Sequence, residues 1–279
     1  MRILLTGASG GIGAALAQAF AREGHAILLQ GRRDAGLAEL KRSLGDDADC
    51  ETVIADLTNA ADRERLCQRA RAFAVDTLCT NAGINQFGAF PDSDVSAIID
   101  TNVTATLLLT QTLLPLLLDG ARPRIIIIGS AFGAIGFPGY AAYSASKFAL
   151  RGFSEALGRE YADTALSVHY LSPRATETSM NDSRVTALNV ELGTQTDTPE
   201  LVASQVLRAL RSDRRRLQLG AAETLQTRLN ALFPGLVDRA LRAKLPVIKK
   251  YFKEIDHDEA DSVYTDDPAR GDVCPGGSA

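Results

Sequence analysis

Residues 6–13 read Thr6-Gly7-Ala8-Ser9-Gly10-Gly11-Ile12-Gly13, between the apolar run Ile3-Leu4-Leu5 and the alanine-rich stretch 12–23. Glycines at this spacing permit a tight turn in which backbone N–H groups approach an anion. A short strand before them and a helix after them place the loop at a positive helix N-terminus. The loop is therefore expected to seat a pyrophosphate through Gly7, Ser9, Gly10, Gly11, Ile12 and Gly13.

Outward from this loop the chain alternates. Strand-like segments fall at 2–6, 25–30, 51–55, 75–79, 124–129, 165–171 and 216–219. Helical patterns fall at 12–23, 35–44, 60–73, 93–118 and around Tyr143. Short apolar strands separated by helices require crossover connections, hence a parallel sheet covered on both faces. The expected fold is α/β, a single doubly wound, Rossmann-type domain.

The chain has 279 residues, 46% of them hydrophobic, with a net charge of −4. That describes a water-soluble globular protein and gives no global reason to expect nucleic-acid binding. Its four cysteines, Cys50, Cys67, Cys79 and Cys274, lack metal-site spacing. Reduced thiols in a cytoplasmic protein are the simplest reading, and no metal is expected. The first apolar run is too short for a signal peptide. The run 106–118 is shorter than a bilayer span and is interrupted by Thr110, Gln111 and Pro115, so a buried helix is expected there.

The strand at 25–30 ends in Gly31-Arg32-Arg33, with no carboxylate before Asp34. A dinucleotide site that prefers NAD usually offers an acid at this place. Guanidinium groups instead suit a 2′-phosphate, which favours NADP(H) over NAD(H).

Tyr143-Ser144-Ala145-Ser146-Lys147 places a phenol and an amine one helical turn apart. A cation so near is expected to lower the tyrosine pKa and make Tyr143 a proton donor and acceptor near neutral pH. Ser130 closes the strand Ile125-Ile126-Ile127-Ile128-Gly129, where its hydroxyl could orient the oxygen being protonated.

Thr6-Gly7-x-x-x-Gly11-x-Gly13, Asn81-Ala82-Gly83, Asn102, Ser130 and Tyr143-x-x-x-Lys147 occur in that order over roughly residues 1–180. Together they resemble the short-chain dehydrogenase/reductase family. The resemblance implies a seven-stranded parallel sheet and hydride transfer between a nicotinamide and a carbonyl or alcohol. It implies a catalytic set of Asn102, Ser130, Tyr143 and Lys147. Tyr143 would protonate the alkoxide, Ser130 would hydrogen-bond the same oxygen, and Lys147 would hold the nicotinamide ribose. Asn102 would sit where a helix opens slightly and bind a relay water. Asp56 and Leu57 would contact the adenine, Asn81, Ala82 and Gly83 the adenosine ribose. It also implies a homodimer or homotetramer, joined through the helices that carry Asn102 and Tyr143.

The chain departs from the family pattern in two places. Ser172-Pro173-Arg174-Ala175-Thr176-Glu177-Thr178 has arginine where the family pattern has Pro-Gly, which questions the local backbone because arginine tolerates positive φ poorly. Pro173 and Thr178, with Thr176 as a neighbour that could substitute, are expected at the nicotinamide. Thr80 replaces the first asparagine before Asn-Ala-Gly.

The expected substrate lining is Ile84, Asn85, Gln86, Phe87, Ala131, Phe132, the loop 135–139 and a mobile polar segment, 178–198. Its apolar members favour a hydrophobic ketone, aldehyde or acyl carbonyl. The catalytic domain is expected over 1–253, ending in a basic amphipathic part at about 220–253. That part suits packing against the domain or a second subunit, ahead of an anionic membrane surface. Residues 254–279 read as a flexible acidic tail. Competing readings are a dinucleotide-binding redox sensor without turnover, and an isomerase or dehydratase on the same scaffold.

Overall fold

The computed structural model describes residues 1–252; the acidic tail read from the sequence lies outside the described residues. Seven strands form one sheet: β1 (Arg2–Leu5), β2 (Ala26–Gly31), β3 (Cys50–Ile54), β4 (Thr77–Thr80), β5 (Arg124–Ile128), β6 (Ser167–Ser172) and β7 (Arg216–Gln218). Their order is β3-β2-β1-β4-β5-β6-β7, and every pairing is parallel.

Strand residues alternate between the two faces, so each strand feeds two cores. Ile3, Leu5, Ile27, Leu29, Ile126 and Ile128 face α1 (Gly11–Arg22), α2 (Asp34–Leu44) and α8 (Pro199–Arg211). Leu4, Leu28, Leu78, Ile125 and Ile127 face α3 (Ala60–Ala72), α5 (Ala105–Leu118) and α6 (Ala141–Glu160). Burial on both faces explains why these strands read as continuous apolar runs.

The helix expected at 93–118 is three pieces. α4 (Val95–Ile99) and α5 are joined by a π-helical turn, Asp100–Thr104. The span Val95–Leu118 is long and apolar enough to cross a membrane, but Leu109, Leu113 and Leu117 are fully buried against the sheet. That makes it a core helix.

The segment expected to be mobile contains an ordered helix, α7 (Ser183–Glu191). The Asp182 carboxylate caps it by accepting from the Val185 N–H, and Val185 and Leu188 are buried. Beyond β7, α9 (Ala221–Leu232) and α10 (Pro234–Lys250) form a helical hairpin.

The chain runs outward from β1 to β3, then returns to lay β4 beside β1 on its other side. This reversal opens a crevice at the carboxyl ends of β1 and β4, the place where open α/β sheets bind ligands.

Candidate active site

The glycine loop lies on that crevice. Gly7 has φ +61°, and a Cβ there would meet the Ala82 Cα at 2.8 Å. Asn81 holds the loop from the neighbouring strand. Its N–H donates to Thr6 Oγ1 at 3.0 Å, and its amide donates to the carbonyls of Thr6 and Gly7. The Ala82 N–H also reaches Thr6 Oγ1, so Asn81-Ala82-Gly83 fastens the loop from behind.

At Gly13 a Cβ would come within 2.1 Å of the Gly7 carbonyl oxygen. At Gly11 it would meet Thr178 Cγ2 at 2.7 Å. The first turn of α1 carries no acid. This cradle of bare backbone at a helix N-terminus fits a dinucleotide pyrophosphate.

Arg32 and Arg33 are exposed at the end of β2. Both flanks of their turn approach the loop: added Cβ atoms on Gly31 and Gly36 would lie 3.3 Å and 3.2 Å from the Ser9 side chain. Past β3, Asp56 accepts from the N–H and hydroxyl of Thr58, while Leu57 is buried beside it.

After β6, Thr178 reaches over Gly11. Thr176 is buried and turns away, bridging to Asp197 and donating its hydroxyl to the Arg174 carbonyl. Of the two threonines, Thr178 is the one beside the glycine loop. Pro173 is buried, and its carbonyl accepts from the Ala131 N–H, tying this loop to the one after β5.

Arg174 carries no strain, since it has no positive φ. Its Nε and Nη2 donate to Asp197 Oδ1 at 2.8 and 2.6 Å, and Nη1 donates to Gln195 Oε1 at 2.6 Å. The arginine thus clamps the Thr178 loop to the stretch before α8.

Ser130, Tyr143 and Lys147 converge at the carboxyl end of β5. Lys147 is buried, with Nζ 3.2 Å from the Ile128 carbonyl oxygen and 5.6 Å from the Tyr143 ring centre. Asn102, wholly buried on the π turn, accepts from the Ile84 N–H at 2.8 Å. Its amide donates to the Ile84 carbonyl at 2.9 Å and to Ser146 Oγ at 3.0 Å. A side chain committed in this way fixes the strand end that leads to Gly83 and Ile84. A Cβ on Gly83 would lie 3.1 Å from Asn102 Oδ1 and 3.7 Å from Lys147 Nζ.

One expectation is corrected here. The Tyr143 phenol is not lowered by Lys147; burial pushes it up to about 12, with Ser130 opposing the shift. The residue is half-buried overall, but its hydroxyl end is enclosed. Burial also pulls Lys147 down to about 8, because desolvation disfavours the ammonium. At neutral pH Lys147 still carries its proton, but the cost of burying the phenolate decides the Tyr143 shift.

Sequence reasoning missed Tyr170. From β6 its hydroxyl donates to the Lys147 carbonyl at 3.2 Å, and its ring occupies the space left by Gly129 and Gly133. Also missed was α10, whose end walls the site. Phe252 meets Phe87 edge-on at 5.5 Å, and Lys250 and Tyr251 both donate to Glu191 on α7 at 2.9 and 2.6 Å. Phe132, Phe137, Tyr140 and Tyr143 continue this aromatic wall. Val185, Leu188 and Ile248 pack behind it. The amphipathic pattern of α10 was visible in the sequence; its destination was not.

A doubly wound sheet with a glycine loop at its reversal and an enclosed Ser–Tyr–Lys group beside it defines a nicotinamide-dependent oxidoreductase. A family model described as short chain dehydrogenase matches residues 1–189. The chain is 33% identical to dehydrogenase/reductase SDR family member 7B of Xenopus tropicalis, over 84% of this chain and 82% of the relative. It is 34% identical to 3-oxoacyl-[acyl-carrier-protein] reductase FabG of Escherichia coli, over 63% of this chain and 74% of the relative. Among solved structures, a short chain dehydrogenase from Burkholderia cenocepacia in complex with NADP superposes with a TM-score of 0.70. That pair is 27% identical and covers 77% of this chain and 94% of the other. The chain belongs to the short-chain dehydrogenase family, whose members are NAD(P)-dependent oxidoreductases acting on carbonyl and hydroxyl groups and are commonly oligomeric.

Proposed function

We propose that the chain is an NADPH-dependent carbonyl reductase, or an alcohol dehydrogenase in the reverse direction, acting on a hydrophobic ketone, aldehyde or acyl carbonyl. The observation that carries this reading is the enclosed Tyr143 phenol, with Ser130 beside it and Lys147 one turn along, at the carboxyl end of β5 next to the glycine loop. The aromatic wall supports the apolar character of the substrate.

Bound dihydronicotinamide supplies a hydride to the carbonyl carbon. The residues named here do the rest. Gly7, Ser9, Gly10, Gly11, Ile12 and Gly13 hold the pyrophosphate, and Arg32 and Arg33 take a 2′-phosphate. Asp56 and Leu57 border the adenine, Asn81, Ala82 and Gly83 the ribose, and Pro173 and Thr178 the nicotinamide amide. Ser130 donates a hydrogen bond to the carbonyl oxygen and fixes its position. Tyr143 gives that oxygen its phenolic proton. A phenol at about 12 is fully protonated at neutral pH, as a donor must be. Lys147 holds the nicotinamide ribose and re-supplies the proton. Asn102 keeps Gly83 and Ile84 in place around it.

Replacing Tyr143 with Phe tests this. Turnover of any carbonyl should fall by at least about a thousandfold, while NADPH still binds, as titration of its fluorescence would show. Unchanged turnover would refute the assignment.

In this reading residues 1–253 form the catalytic domain. The protein is cytoplasmic, in keeping with the free, buried Cys50, Cys67 and Cys79. It pairs with further copies through α5 and α6, where Leu108 and Phe148 are exposed.

A further inference from the structure

The α9–α10 hairpin has an apolar inner face and an outer one that no described residue covers. On the inner face Leu241 and Leu245 border Phe137 and Pro138, and Ile248 is fully buried. The sequence expectation that this stretch packs inward holds for that face only. At the hairpin's tip Leu232, Phe233 and Leu236 are 71, 56 and 60% exposed, and α9 buries no side chain. Leu225, one face with Leu232, is also exposed.

Cations follow along both helices of the hairpin. Arg228, Arg239, Arg242 and Lys244 are exposed, and among the described residues none of them forms an ion pair. Across residues 221–250 there are six lysines and arginines against two acids, Glu223 and Asp238, on a chain whose net charge is −4. Glu223 is itself turned toward Arg174. Exposed large side chains flanked by cations that pair with no described residue match a surface with an oily interior and an anionic face.

We propose that this hairpin docks the protein on an anionic lipid bilayer. The apolar tip enters the headgroup boundary, and the flanking cations meet the lipid charges. An acidic polypeptide would satisfy the cations but leave Leu232, Phe233 and Leu236 in water, so the bilayer is the better match. α10 then runs roughly 25 Å from the tip to the substrate wall, ending in Phe252 against Phe87. A protein held at a bilayer in this way suits a carbonyl carried on an aliphatic chain. That last step rests on the reading given under Proposed function; the docking does not.

The test is flotation of the full chain with vesicles of phosphatidylcholine alone or mixed with phosphatidylglycerol, at low and high salt. The protein should float with the mixed vesicles at low salt and stay behind with the neutral ones. Leu232→Ser/Phe233→Ser/Leu236→Ser and Arg239→Glu/Arg242→Glu should each reduce the floated fraction by roughly tenfold. Both variants should keep the wild-type melting temperature and their turnover of a water-soluble carbonyl. If the triple variant does not fold, the charge pair decides alone. Failure of the wild type to float overturns the proposal, as does equal flotation of a folded variant. It is also overturned if flotation requires removal of residues 253–279, or if sedimentation shows a dimer that the triple variant dissolves. Flotation without turnover of any carbonyl would sink the functional reading and leave the docking surface standing.

Discussion

Tyr170, on β6, donates its hydroxyl to the backbone carbonyl of Lys147, on α6, across 3.2 Å. The contact joins the sheet to the first turns of the helix that carries Tyr143 and Lys147. It is enclosed, since burial pushes the Tyr170 phenol up to about 12 and keeps it neutral. Tyr170→Phe should cost about 1 kcal/mol of stability, the usual worth of such a bond. If Tyr170 positions the helix, kcat should also fall several-fold, and its pH profile should move, with NADPH affinity unchanged. A variant that is only less stable would mean that the contact is structural.

The Arg32–Arg33 pair should set the choice of dinucleotide. Arg32→Ala/Arg33→Ala should weaken NADPH binding by roughly ten- to a hundredfold, as expected for losing charge-assisted hydrogen bonds. NADH binding should barely change. Calorimetry with both cofactors decides, and tighter binding of NADH by the unaltered protein would remove the assignment.

Lys147 should make stability depend on pH with a definite sign. Its folded pKa is about 8, below the ordinary 10.5, so the folded state holds fewer protons between those values. The penalty of burying the ammonium is complete below pH 8 and gone above about 10.5. Lys147→Met should therefore be more stable than wild type at pH 7. The gain is on the order of 3 kcal/mol from the shift, less about 1 kcal/mol for the lost Ile128 hydrogen bond. The advantage should vanish as pH rises from 8 to 10.5. Denaturant titrations of the unliganded protein across that range give the answer, and activity should be lost throughout.

Arg174→Ala strips a buried carboxylate of its partner, since Asp197 is only 4% exposed. Breaking a buried pair costs about 3–5 kcal/mol, and the partial exposure of the arginine, 19%, brings the expectation toward the lower bound. The Thr178 loop should loosen with it, raising KM for the dinucleotide. Stability and KM both unchanged would show the clamp to be idle.

The fold was legible because parallel strands buried on both faces stand out as uninterrupted apolar runs. Ile125 to Ile128 and Ala26 to Leu29 are such runs, and all seven expected strands form. The glycine loop, Asn81-Ala82-Gly83 and the Tyr143–Lys147 spacing were legible because local geometry fixes their neighbours. The rest depends on contacts between distant parts of the chain. The grip of Asn102 on Ile84, the reach of Tyr170 to Lys147 and the pairing of Arg174 with Asp197 each need the sheet assembled first. The direction of the Tyr143 shift was misread for the same reason: helical spacing locates a charge, but burial of the phenol in the folded protein outweighs it. α7 escaped notice because its apolar positions, Val185 and Leu188, are few and lie within a polar run.

Phe252 packs against Phe87 from just beyond the end of a hairpin that follows all seven strands in the chain. The seven described strands all precede that hairpin in the chain, so exchange of α9 and α10 leaves the strand order that carries the glycine loop and Ser130 unaltered. Diversification of what enters the cleft can therefore proceed at the chain's periphery without rebuilding the sheet.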